Sequence, residues 1–112
     1  MKDEKVYIDH ILECLKWITD YTSKGKEPFL VDRKTQSAVF RELQTMAESV
    51  KRLSSTHKDA HPEVFWQGII GFRNILVHDY LGIKLERVWD IIKNDLPVLL
   101  KAVETIKKEI EQ

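Results

Sequence analysis

Apolar residues recur at steps of three and four along most of this chain, which is the spacing of one face of an α-helix. A first helix is expected from about Asp3 to Thr22, and a second from about Arg33 to Leu53 with Asp32 as its N-cap. No segment alternates with the two-residue period of a half-buried strand. The pattern predicts an all-α protein, and the first helix carries two adjacent apolar stripes: Tyr7, Ile11, Cys14, Ile18 and Tyr21, and Ile8, Leu12 and Leu15.

Proline positions indicate where later helices begin. Pro62 suits the first turn of a third helix that extends to about Val77, since proline has no N–H to leave unpaired there. A short fourth helix is expected near residues 84–93. Asp95 is a candidate cap for a fifth helix, with Pro97 in its first turn.

Two polar runs, Ser23 to Pro28 and Ser54 to His61, predict loops between these helices. Neither has the composition of a domain linker, and 112 residues fit one domain, 1–112. We therefore expect an up-and-down four-helix bundle with a short additional helix.

The composition limits where such a protein works. Eighteen Lys and Arg residues balance eighteen Asp and Glu residues, so any contact with nucleic acid must depend on a local basic site. Cys14 is the only cysteine, which excludes an internal disulfide and suits a reducing cytosol. The N-terminus lacks the apolar run of a signal peptide, and no stretch approaches the roughly 20 apolar residues of a membrane span. We expect a cytoplasmic protein with no membrane contact.

The segment Gly71 to Tyr80 carries four polar side chains inside an apolar stretch: Arg73, Asn74, His78 and Tyr80. Arginine offers a fixed fork of donors that suits phosphate, and histidine exchanges a proton near neutral pH. Together they are the minimum equipment for holding a phosphate and moving protons around it, as phosphodiester cleavage requires.

Helical geometry leaves two arrangements open for this segment. Asn74 and His78 are four residues apart and share a face, and Arg73 and Tyr80 share another on an ideal helix. Arg73 and His78 are separated by roughly 140° around the axis. Either the helix ends near His78, or a second copy of the chain completes the site.

The spacing of these four residues resembles the motif of HEPN-domain ribonucleases. In that motif an Arg-Asn pair precedes a histidine, with four residues between the Arg and the His, and a tyrosine follows after one further residue. The best match is the HepT branch, the toxin partner of a minimal nucleotidyltransferase antitoxin. The likeness extends from His61-Pro62 to Asp95-Leu96-Pro97, whereas the N-terminal half agrees only as amphipathic helices. One departure is Phe65, where the resemblance leads us to expect Pro.

This resemblance implies a metal-independent endoribonuclease of a type VII toxin–antitoxin pair, without a cofactor. It implies a homodimer whose active cleft lies at the interface, with Arg73, His78 and Asn74 as catalytic residues. The RNA substrate, for which tRNA is one candidate, would be cut to a 2′,3′-cyclic phosphate and a 5′-hydroxyl. The cognate nucleotidyltransferase would silence the enzyme by attaching AMP to Tyr80.

Two other functions are compatible with the residues alone. The chain could be a non-catalytic helical protein that binds a nucleotide or a nucleotidyltransferase. It could also be a metal hydrolase that uses a second cluster, although that cluster straddles a predicted turn: His57, Asp59, His61 and Glu63.

Several other residues have simpler structural interpretations. Cys14 lies on the core face of the first helix and is expected to be a small buried hydrophobe. Gly68 and Gly71 are expected to permit close helix packing. The three tryptophans are expected to be packing and interface anchors: Trp17, Trp66 and Trp89.

Overall fold

The computed structural model describes residues 3–112, and residues 1–2 lie outside this part. The described residues form helices and turns with no strand. A 3₁₀ turn at Tyr80–Gly82 and a π turn at Ile91–Asp95 join the last helices. The prediction of an all-α bundle is confirmed. The α-helices are α1 Glu4–Tyr21, α2 Lys26–Val31, α3 Arg33–Arg52, α4 Ser55–Ala60, α5 Trp66–His78, α6 Leu85–Asp90 and α7 Leu96–Glu111.

Helix α3 lies between α1 and α5, and α1 also packs against α7. The short α2 contacts α3 and α6. The core residues recur at helical spacing on each long helix, so burying one face of each helix builds a continuous apolar interior. Among residues 3–112, no helix is long and apolar enough to cross a bilayer. The most deeply buried large side chains are Ile8, Ile11, Ile18, Phe29, Met46, Leu99 and Ile106.

Aspartates cap the two long N-terminal helices. Asp32 accepts hydrogen bonds from the Lys34 N–H at 3.1 Å and the Thr35 hydroxyl at 2.6 Å, which confirms the predicted cap. Asp3 accepts one from the Lys5 N–H at 2.9 Å and so caps α1. Each cap pairs a backbone donor that has no partner within its own helix.

Two short helices form where the polar runs predicted loops, so those predictions were wrong in part. Helix α2 includes the end of the first run, and it follows Gly25, whose φ of 97° favours glycine. Helix α4 lies inside the second run. There Glu4 of α1 accepts the Ser54 N–H at 2.5 Å and pairs with His57 Nε2 at 3.4 Å. This tertiary contact holds the start of α4, and local sequence patterns carry no sign of it.

Helix α5 begins at Trp66, four residues later than predicted. Pro62 lies in a turn instead, closed by the Val64 N–H donating to the His61 carbonyl at 3.2 Å. The Trp66 indole N–H donates to the carbonyls of Lys58 and His61 at 3.1 and 3.0 Å. These bonds hold the turn against the start of α5. Proline is favoured at the second position of such a turn, so Pro62 has a role other than the one predicted.

The predicted fourth and fifth helices are one helical run through α6, the π turn and α7. Asp95 has helical backbone angles and makes no capping hydrogen bond, so the prediction that it caps a new helix was wrong. Pro97 does lie in the first turn of α7, as predicted. Its ring would clash with the carbonyl of Lys93 in a regular α-helix, and the wide π turn falls at that point.

Replacing Leu99 by Ala tests this packing. Leu99 is 0% exposed, so Leu99→Ala should lower the free energy of unfolding by roughly 2–5 kcal/mol, because a cavity replaces the deleted methyl groups. Urea unfolding followed by circular dichroism measures the decrease. The exposed Lys101 of the same helix is the control, and Lys101→Ala should change stability by about 0.5 kcal/mol or less. Equal effects of the two substitutions would contradict the described core.

Candidate active site

The predicted motif occupies the end of α5 and the turn that follows it. Helix α5 ends at His78, and the Asp79 N–H closes it by donating to the Ile75 carbonyl at 2.9 Å. A Cβ atom on Gly82 would lie 2.5 Å from a carboxylate oxygen of Asp79, so a larger residue there would require the Asp79 side chain to move. Of the two arrangements left open by the sequence, the structure therefore shows a helix that ends at the histidine.

Arg73 makes an ion pair across the groove between α5 and α3. Its Nη2 donates to Glu48 Oε1 at 3.2 Å, and its Nη1 lies 3.5 Å from Asn74 Oδ1. Arg73 Nε is buried and has no hydrogen-bond partner among the described residues. The guanidinium is thus held by one carboxylate, and its Nε is shielded from solvent.

Arg73 and Asn74 line a cavity of about 500 Å³ between α3 and α5, which we call the α3–α5 cavity. Its lining contains three cationic side chains and one carboxylate, an excess of two positive charges. Such a volume lies within the range of ligand-binding pockets. The lining residues are Ala47, Glu48, Lys51, Arg52, Ile70, Arg73 and Asn74.

Glu48, Lys51 and Arg52 lie outside the motif that the sequence predicted for the site. These three residues share one side of α3 because they are three and four positions apart. Only the packing of α3 against α5 brings this side to Arg73. The adjacent Lys51 and Arg52 were only a weak sequence signal of a binding site. Basic residues are common in the last turn of a helix because they interact favourably with the helix dipole.

His78 is exposed in the last turn of α5 and is not among the residues that line the α3–α5 cavity. Asn74 lies one turn before it on the same side of the helix. Arg73 lies roughly 140° from His78 around the axis. The structure therefore brings Arg73 and Asn74 into one cavity, and within a single chain His78 projects from a different side of α5.

Tyr80 belongs to the 3₁₀ turn after α5, and 49% of it is exposed. Its ring meets the ring of Phe40 edge-on, with centroids 5.8 Å apart. Because the helix ends at His78, the face that Tyr80 and Arg73 would share on an ideal helix does not form. The phenol is accessible at the surface while one side of its ring is anchored on α3.

The two histidines of the second cluster form ion pairs with different carboxylates. His57 pairs with Glu4 at 3.4 Å and His61 pairs with Glu63 at 3.1 Å. Within residues 3–112, no group of three or more His, Cys, Asp and Glu side chains is arranged to hold a metal ion. These contacts support structural roles for both histidines.

Cys14 is buried, as predicted, in a polar contact between α1 and α3. Its Sγ lies 3.5 Å from His10 Nε2 and 3.7 Å from the Thr45 hydroxyl. The other ring nitrogen of His10 lies 2.6 Å from the Ser49 hydroxyl. Burial raises the pKa of the Cys14 thiol to about 11, and the hydrogen bond with Thr45 only partly opposes this effect. The thiol is therefore neutral at physiological pH.

The tryptophans and glycines follow their structural interpretations in part. Trp66 is buried and Trp89 packs at 5.7 Å from Phe29, measured between ring centroids. Trp17 is 40% exposed and stacks on the neighbouring Tyr21. A Cβ atom on Gly68 would collide with the ring of Phe65 at the start of the same helix, and one on Gly71 would meet open space, so close packing between helices explains neither glycine.

The sequence matches the family described as "Ribonuclease HepT-like" over residues 11–106. The chain belongs to this HepT-like ribonuclease family. The match begins within α1, ends within α7 and includes the whole motif at the end of α5.

The relatives carry ribonuclease names. A Methanocaldococcus jannaschii protein named "Putative RNase MJ0127" is 40% identical over 111 residues, which cover 98% of this chain and 92% of that protein. A Thermococcus cleftensis protein named "Probable ribonuclease HepT" is 33% identical over 108 residues, which cover 96% of this chain and 98% of that protein. No solved structure matches the chain.

The raised pKa of the Cys14 thiol predicts how slowly this thiol reacts in the folded protein. A pKa raised from 9.0 to about 11 leaves about 100-fold less thiolate near neutral pH, and the thiolate is the form that reacts. Iodoacetamide should therefore modify the folded protein at least about 100-fold more slowly than the urea-unfolded protein at the same pH. Mass spectrometry follows the modification. Rates within a few-fold of each other would contradict the described burial.

Proposed function

We propose that this chain is an endoribonuclease toxin that cuts RNA without a metal ion, using Arg73 and His78 at the interface of a homodimer. The observation that carries the proposal is the α3–α5 cavity, which holds Arg73 and Asn74 beside an excess of positive charge in an otherwise neutral chain. Membership of a ribonuclease family supports RNA as the substrate. A cationic cavity is the local basic site that a neutral chain needs for binding a polyanion.

A second protomer resolves the divergence of Arg73 and His78 on one helix. Four apolar or aromatic side chains around the motif are exposed, among them Leu81 at 98%. Exposed apolar side chains are enriched at interfaces, and a two-fold axis would present the same side chains on both copies. In such a dimer, Arg73 of one protomer can approach His78 of its partner. The four side chains are Ile75, Val77, Tyr80 and Leu81.

The proposed chemistry is transfer of the phosphate to the neighbouring ribose hydroxyl. The RNA 2′-oxygen forms a bond to phosphorus while the bond to the 5′-oxygen breaks, which gives a 2′,3′-cyclic phosphate and a 5′-hydroxyl. His78 takes the proton from the 2′-hydroxyl or supplies one to the leaving oxygen. Arg73 stabilises the negative charge that builds on the phosphorane, and Asn74 orients the phosphate.

We also propose that a nucleotidyltransferase partner silences the nuclease by transferring AMP to Tyr80. The half-exposed phenol, whose ring is anchored on Phe40, is presented two residues beyond His78. An added AMP would place a phosphate and a nucleoside beside the motif, where its charge and bulk compete with RNA for the cationic residues.

RNA cleavage by the purified protein in EDTA tests the nuclease. Wild type should produce fragments with 2′,3′-cyclic phosphate ends, and Arg73→Ala and His78→Ala should each cut roughly 10²–10⁴-fold more slowly. Expression of wild type should arrest growth, and expression of either variant should not. Lys101→Ala, an exposed charge on α7, is the control that should keep full activity.

The alternatives give different results in the same experiment. If wild type and both variants were harmless and none cut RNA, the chain would be a non-catalytic protein that binds a nucleotide or a nucleotidyltransferase. Cleavage that EDTA abolishes and zinc restores would instead support the metal hydrolase based on His57 and His61.

Tyr80→Phe tests the silencing. Phenylalanine keeps the ring that packs on Phe40 and removes the hydroxyl, so the variant should cut RNA within a few-fold of wild type and accept no AMP. Incubation with the nucleotidyltransferase and ATP, followed by mass spectrometry of the intact protein, measures the transfer. Tyr21→Phe removes another partly exposed phenol and should still be modified. Modification of Tyr80→Phe at the motif would refute the assignment.

A further inference from the structure

Two cationic side chains in the α3–α5 cavity have no part in the proposed chemistry. Lys51 and Arg52 lie in the last turn of α3 and line the cavity opposite Arg73. Both are exposed at the surface. They therefore have access to a ligand that enters the cavity from solvent.

Neither side chain is neutralised by the protein. Glu48 stands three residues before Lys51 and four before Arg52, which is the spacing for an ion pair along a helix. Its carboxylate pairs instead with Arg73 across the groove at 3.2 Å. No carboxylate of the described residues forms an ion pair with Lys51 or Arg52. The α3 wall of the cavity therefore presents two uncompensated positive charges.

Cations on both walls favour an extended polyanion as the ligand. Packed helices stand about 8–10 Å apart, so the cations of α3 and α5 lie on opposite sides of the cavity and not at one point. The partly exposed guanidinium of Arg73 supplies the cation of the α5 wall. RNA offers one phosphate per nucleotide and can present separate phosphates to the two walls.

We propose that Lys51 and Arg52 form a second phosphate-binding position, which holds a backbone phosphate of the RNA beside the phosphate at Arg73. The inference rests on the proposed function and names the residues that position its substrate. These are positioning residues, since they bind a phosphate other than the one that reacts. Their contribution is to bind and align the strand through its backbone, without selecting its sequence.

Binding is measured in the His78→Ala background so that the RNA stays intact. A fluorescent single-stranded RNA is titrated at several salt concentrations, and the same titration is made after Lys51→Ala and Arg52→Ala are combined. The dissociation constant should rise roughly tenfold or more. The slope of log affinity against log salt should fall by about 0.7 for each phosphate that the variant no longer binds. With His78 present, KM should rise while kcat stays within about 3-fold of wild type.

Three variants make the result specific. Arg33→Ala combined with Lys34→Ala removes the same two residue types from the other end of α3 and should leave affinity and slope unchanged. Lys51→Arg combined with Arg52→Lys keeps both charges and should bind RNA like the parent. Thermal unfolding of every variant identifies any loss of fold, and Lys51→Gln with Arg52→Gln replaces the alanine pair if that pair unfolds.

The outcomes separate this inference from the proposed function. If wild type cuts RNA and the Lys51/Arg52 variant keeps its affinity, salt slope and KM, the second phosphate position is wrong and the nuclease stands. If wild type neither binds nor cuts RNA, both are wrong. If AMP or inorganic phosphate binds through Lys51 and Arg52 while RNA does not, the cavity is a small-anion site and the inference is overturned.

Discussion

The packing of α3 against α1 and α5 is the contact on which the rest of the structure depends. Val39, Leu43, Met46 and Val50 recur at steps of four, three and four along α3, so one side of the helix is fully apolar and buried. Burying such a side chain contributes about 1.5–3 kcal/mol each. Glu48 lies roughly 160° from Val50 around the axis of α3, so its side chain stands outside the core and reaches Arg73 of α5 across the groove at 3.2 Å. Core formation fixes which side of α3 is buried, and the packing of α3 against α5 places the cavity.

The same geometry determines which polar groups meet. On α5, the buried residues Ile69, Phe72 and Leu76 form the core stripe, and Ile70 and Arg73 form the adjacent stripe that lines the cavity. The cavity-lining side chains of α3 and α5 thus enclose a groove beside the core. The ion pair between Arg73 and Glu48 is partly exposed and contributes little to stability, about 0–1 kcal/mol. Its effect is local, since it orients the guanidinium and leaves the α3 cations uncompensated.

A neutral chain that handles a polyanion must concentrate its charge, and the structure shows how this can occur without a basic surface overall. Eighteen positive and eighteen negative residues cancel over the whole chain, yet the α3–α5 cavity carries a local excess of two positive charges. The end of α5 adds an exposed histidine and an exposed tyrosine within three residues. The proposed dimer would bring these two regions of different protomers together.

The sequence by itself determined the helical class, because a period of three and four residues with no alternation has one structural solution. It also determined the cap at Asp32, the burial of Cys14 and the segment that holds Arg73, Asn74, His78 and Tyr80, since each depends on neighbours along the chain. Only the tertiary structure decided that α4 forms beside Glu4, that Pro62 serves a turn, and that Asp95 lies within a continuous helix. It alone placed Glu48, Lys51 and Arg52 opposite Arg73. Those outcomes depend on contacts between residues far apart in the chain, and local periodicity carries no information about which helix faces meet.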